Sequence, residues 1–154
     1  MIDVAAYAWE FREAILQGCS SERMCVAVSA PLHAALRVLD VHTQLVRADL
    51  EQGEHVFLQL PDGQVLDATA DQFNAHSRKP LPGVYLGAST APHHGARPWP
   101  GGQEWHPLMA ELKRLYPTFA APEVGRTVGA ILRTLPPGLC EFRKPGAASS
   151  VVAR

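Results

Sequence analysis

A chain of 154 residues, 47% hydrophobic and 19% charged, is long enough for one globular domain that buries roughly two-thirds of its unfolded surface. A formal net charge of −1 gives no electrostatic ground for binding nucleic acid or an acidic membrane, and no apolar run approaches the ~20 residues of a transmembrane helix. Three cysteines, Cys19, Cys25 and Cys140, make an odd count, which argues against a disulfide framework and for a free thiol in a reducing compartment.

The opening MIDVAAYAWEFREA carries acids early and lacks a basic start, so it does not read as a signal peptide. The expected location is the cytoplasm, with signal-independent export left open. Val4, Ala5, Tyr7, Ala8, Phe11, Ala14 and Ile15 share one face of a predicted helix over 3–17, stopped by Gly18. GCSSER follows as a short loop in which Ser20 or Ser21 is placed to cap a new helix. That second helix is predicted over 24–39. Pro31 removes a backbone hydrogen bond within it and predicts a kink, or a start delayed toward Ser29.

VHTQLVRADL alternates as a strand near 43–48, and EQGE is a turn. HVFLQL-PDG-QVLDAT then reads as a hairpin, and GVYLGA over 83–88 as a further strand. The stretch 89–102, rich in Pro, Gly and His, reads as a loop, with Trp99 either shaping a groove or packing on the body. Two helices are expected over 105–116 and 122–135, with Val124, Val128, Ile131, Leu132 and Leu135 on an apolar face. The expected organisation is a single domain over 1–144 and a flexible tail over 145–154. Its order of elements predicts an α+β fold, with an antiparallel sheet packed on the Cys-bearing helix.

The hairpin has a register that its turn chemistry sets. Pro61 suits the first central position of a type I turn, Asp62 the second, and Gly63 the left-handed residue after them. Leu60 then faces Gln64, Leu58 faces Leu66, and Phe57 faces Asp67. By the two-residue period, Val56, Leu58, Leu60, Leu66 and Ala68 share one face. His55, Phe57, Gln59, Val65, Asp67 and Thr69 share the other, so His55 and Asp67 become diagonal cross-strand neighbours. A two-residue Asp-Gly loop would instead put His55 and Asp67 on opposite faces.

Cys25, His55 and Asp67 are therefore the candidate catalytic residues. A helix start and a nearby imidazolium both favour the thiolate, and a carboxylate on the second ring nitrogen sets the tautomer of the base. The backbone N–H of Cys25 is the natural oxyanion donor, with Gln17 or Gln59 as side-chain candidates. Taken singly, Cys25 reads as a small buried hydrophobe, His55 as a solvent-facing strand end and Asp67 as a turn acid. Cys19 is a second thiol at the site or a packed loop residue. His93 and His94, with His76, His106 or Cys140, match no usual zinc spacing, so no metal is expected. His94 and His106 are alternative bases. DATADQF suggests packing for Phe73, and capping or turn hydrogen bonds for Asp71 and Gln72.

The run CVAVSAPL from Cys25 resembles the start of the catalytic helix in papain-like cysteine proteases. HVFLQLPDGQVLDATADQF is more similar to the transglutaminase-like branch of that superfamily, and also to the peptidases of lasso-peptide maturation and bacterial protein-glutamine deamidases. The resemblance covers residues 19–74. It implies a papain-like/transglutaminase-like core with Cys25 as nucleophile, His55 as general base and acid, and Asp67 as orienter. Cys19 stands where the papain pattern has its oxyanion glutamine, and Phe57 where transglutaminase-like sequences often have Trp. The implied activity is cysteine-dependent acyl transfer on protein amide groups, as peptidase, glutamine deamidase or transglutaminase. It needs no cofactor and takes a protein or peptide as substrate. Two other readings stand beside it: a non-catalytic protein- or peptide-binding module on the same fold, and a thioester-dependent acyltransferase. Oligomeric state is not readable from the sequence.

Overall fold

The computed structural model describes residues 1–51 and 53–136. Cys140, the end of the expected domain and the expected tail over 145–154 lie outside the described residues.

Helix α1 spans Val4–Leu16. Its cap is Asp3, whose carboxylate accepts the Ala6 N–H at 3.0 Å, and it closes through a left-handed Gln17 ahead of Gly18. Helix α2 spans Cys25–Val38, so its start is not delayed to Ser29. Pro31 lies inside it, where the helix gives up one backbone hydrogen bond. Burial offsets that loss, because Val28, Leu32, Ala35 and Leu36 are all fully enclosed.

The sheet has five strands: β1 (Gln44–Leu50), β2 (Gly53–Gln59), β3 (Val65–Asp67), β4 (Tyr85–Gly87) and β5 (Arg97–Pro98). They lie in the order β4-β3-β2-β1-β5, and every neighbouring pair is antiparallel. The stretch 89–102 is thus more than a loop. It contains a 3-10 turn at Ala91–His93 and supplies an edge strand, with Val46 opposite Pro98 and Arg47 opposite Arg97. A proline fits there because an edge strand has a side that owes no ladder bond.

The β2–β3 hairpin has the three-residue loop. Leu58 pairs with Leu66, the Leu60 N–H donates to the Gln64 carbonyl at 2.9 Å, and Gly63 has φ +90°. Val56, Leu58, Leu66 and Ala68 join the main core with α1, α2 and the later helices α3 (Trp105–Leu115) and α4 (Ala121–Leu132). Phe57 and Val65 face the other way, into a smaller cluster with Val46, Ala48 and Tyr85. The protein is an α+β fold whose Cys-bearing helix packs on β2 and β1. Among the described residues, no helix is long and apolar enough to cross a membrane.

Candidate active site

His55 and Asp67 meet as the hairpin register requires. His55 Nε2 lies 2.5 Å from Asp67 Oδ2, and both side chains are fully buried. The carboxylate is further held by the Thr69 N–H, which donates to Oδ1 at 3.0 Å as the chain turns off β3. A second imidazole joins them. His93 Nε2 lies 2.7 Å from the same Asp67 Oδ2, and His93 Nδ1 lies 2.8 Å from the Thr90 hydroxyl.

The ring of His55 is enclosed by aromatics. Phe73 stands edge-on at 4.7 Å between ring centroids, and Phe57 stacks at 5.4 Å. Gln72 places its amide nitrogen 3.1 Å from His55 Nδ1 and donates to the Thr69 hydroxyl at 2.9 Å. Both ring nitrogens are thus engaged, Nε2 by Asp67 and Nδ1 by the Gln72 amide, and proton exchange at Nδ1 requires Gln72 to give way.

Burial alone would lower the His55 pKa. The hydrogen bond and charge of Asp67 overcome it, Cys25 adds smaller contributions of the same sign, and the pKa rises from 6.5 to about 9. Burial likewise works to raise the Asp67 pKa, but His55 and then His93 hold that carboxyl well below the usual range. Cys25 is the first residue of α2 and is 9% exposed, more accessible than His55, Asp67 or His93. It lies close enough to contribute to the raised His55 pKa, but the hydrogen bonds of the buried cluster join His55, Asp67 and His93 and do not include the thiol.

The segment that presents Gln72 and Phe73 is anchored by Arg12 of α1. This buried guanidinium makes a bidentate pair with Asp71 at 2.8 and 2.9 Å and donates to the carbonyls of Ala68 and Gly83. Asp71 also accepts the Ser21 hydroxyl at 2.7 Å, tying in the loop that leads to Cys25. One charged cluster thereby joins α1, the 18–24 loop and the 3-10 segment at 70–76.

Several sequence expectations are corrected. His55 is not a solvent-facing strand end. The face carrying His55 and Asp67 is covered by His93 and Phe73. Gln59 lies at the other end of β2, four residues or about 13 Å along the strand from His55. It lines a cavity of about 370 Å³ with His42, Thr43 and Pro61. Gln17 is exposed and bonds back to the Ala14 carbonyl. The glutamine against the imidazole is Gln72, from the DATADQF run. His94 is exposed, and His106 bonds Arg37 between α2 and α3. Cys19 is a free, half-buried thiol whose N–H bonds the Leu16 carbonyl. Trp99 packs against the main core.

Besides Gln72, two residues escaped the sequence reading: His93 as a partner of Asp67, and Arg12 as the buried anchor. The Thr90-x-x-His93 spacing in the 3-10 turn is the one local signal for the former.

The nitrogens of His55 and His93 and the Asp67 carboxylate also form a donor set of the kind that holds zinc, all within 4.8 Å of one another. Zinc at ~2.0–2.1 Å from its ligands would set tetrahedral neighbours roughly 3.3 Å apart. In this structure Asp67 Oδ2 lies 2.5 and 2.7 Å from the two imidazole nitrogens, so hydrogen bonds join the three groups. Comparison with protein-family models, with curated proteins and with solved structures gives no match to this chain.

Proposed function

We propose that the protein is a cysteine-dependent acyl-transfer enzyme of the papain-like/transglutaminase-like kind, acting on amide groups of a protein or peptide. The observation that carries this reading is the fully buried His55–Asp67 pair, with Cys25 as the first residue of α2 and near enough to contribute to the raised pKa of the same imidazole. A carboxylate that fixes the Nε2–H tautomer makes Nδ1 the nitrogen that accepts the thiol proton once the Gln72 amide moves off it.

The Cys25 thiolate then attacks the amide carbonyl carbon. The new oxyanion is met by the N–H groups of the first turn of α2, whose cap residue Met24 makes no side-chain bond to them. His55 Nδ1–H gives its proton to the departing amine, leaving an acyl group on Cys25. Water attacks that thioester in hydrolysis or deamidation, and a second amine attacks it in transamidation. In each case His55 takes a proton from the attacking group and returns it to sulfur.

The test is the pH dependence of iodoacetamide labelling at each cysteine, read by peptide mass spectrometry. Fast labelling of Cys25 below pH 7 that collapses in His55→Ala is the expected result. It is to be followed by release of ammonia or amine from glutamine-containing peptides, absent in Cys25→Ala. An ordinary thiol profile unchanged by the mutation would sink the proposal.

The enclosure of His55 and Asp67 favours a second reading, a peptide- or protein-binding module that keeps the fold without turnover. Partner capture by a Cys25→Ala protein as effective as wild type, with an unreactive Cys25, would support that reading instead.

A further inference from the structure

We propose that His93 is a positioning residue that shares the Asp67 carboxylate with His55 and thereby sets how readily His55 releases its proton. The inference rests on the acyl-transfer reading for its use, though its geometry stands independently. One oxygen, Asp67 Oδ2, receives His55 Nε2 at 2.5 Å and His93 Nε2 at 2.7 Å. An acceptor divided between two donors gives less to each than one committed to a single donor.

The His93 ring is fixed on every side. It is 2% exposed, stacks on Tyr85 at 5.7 Å, and meets Phe57 edge-on at 4.6 Å. An apolar ring would fill this space between two aromatics. An imidazole there commits both nitrogens to polar partners: Nε2–H donates to the Asp67 carboxylate at 2.7 Å, and Nδ1 meets the Thr90 hydroxyl at 2.8 Å. Drawing electron density toward Thr90 makes Nε2–H the better donor to Asp67.

The polar and titratable groups around His55 come from four elements: Cys25 of α2, Asp67 of β3, Gln72 of the 70–76 segment and, through Asp67, His93 of the 91–93 turn. Tyr85 of β4 faces His93. Removing the His93 donor leaves Asp67 to His55 alone, and the imidazolium becomes a weaker acid. A base that holds its proton too firmly is slow to protonate the leaving amine. His93 thus tempers the orienting carboxylate while keeping it aligned.

The experiment is a pH titration of the His55 ring by long-range proton–nitrogen correlation NMR, paired with the iodoacetamide profile of Cys25. In His93→Phe the titration of His55 is expected to rise by about one pH unit. His93→Gln, which offers an amide N–H to the same oxygen, is expected to return it toward the wild-type value. A packing role alone would leave the titration unmoved, and an unchanged His55 in His93→Phe overturns the proposal. Should that variant not fold, Thr90→Val decides the matter, with a smaller upward shift expected and no shift refuting it. The two readings fail separately. An ordinary thiol profile at Cys25 with the shift still present supports the shared carboxylate while removing the acyl-transfer reading.

Discussion

Asp67→Asn isolates the electrostatic contribution of the buried pair. In the folded protein His55 titrates at about 9, against 6.5 in the unfolded chain. A group whose folded pKa is raised contributes stability that is fully present below the unfolded pKa and lost as pH rises through the folded one. The His55 contribution is thus complete below pH 6.5, declines between 6.5 and about 9, and amounts to about 3 kcal/mol. The asparagine keeps the shape but removes the charge, so burial then governs His55 and this alkaline decline disappears. The assay is urea denaturation followed by circular dichroism at intervals from pH 5 to 10. The wild type should lose stability at up to ~1.4 kcal/mol per pH unit through the window from this group, over a background of thiol and phenol titrations common to both proteins. The difference between the two curves should shrink by about 3 kcal/mol across the window. Parallel curves would refute the assignment of the raised His55 pKa to Asp67.

The remaining expectations concern the scaffold and the ring environment. Arg12→Met should destabilise the protein by about 3 kcal/mol in urea denaturation, because Asp71 and the Ala68 and Gly83 carbonyls lose their buried donor. A change below 0.5 kcal/mol would mean the anchor is incidental. Gly125→Ala should cost ~1–3 kcal/mol, since its new methyl would lie 2.7 Å from both the Phe11 carbonyl oxygen and the Ala14 methyl where α4 crosses α1. A thermal midpoint equal to wild type would contradict that contact. Gln72→Glu places a carboxylate beside His55 Nδ1 and should raise the NMR titration of His55 above its wild-type position. No movement would show that the side chain does not reach the ring.

The sequence by itself determined what is local. The Pro61-Asp62-Gly63 loop selects a turn, the turn selects a register, and the two-residue period places Val56, Leu58 and Leu66 on one face and His55 and Asp67 on the other. Apolar spacing located α1, α2, α3 and α4 within a residue or two, apart from the C-terminal end of α4. It could not find Arg12, because a pattern search for apolar residues passes over a guanidinium buried by pairing with Asp71, 59 residues away. Nor could it choose among the glutamines. Nothing in the sequence singles out Gln17 or Gln59, and Gln72 is brought to the imidazole only when the 70–76 segment folds back under the anchor of Arg12. His93 entered by the same kind of long-range closure. It sits in a stretch with no periodicity, and β5 pairing with β1 returns that stretch to the sheet after β4. Turn residues and periodicity encode what neighbours along the chain do. The partners of a buried charge are chosen by which distant segments must satisfy it once water is gone, and that choice exists only in the packed molecule.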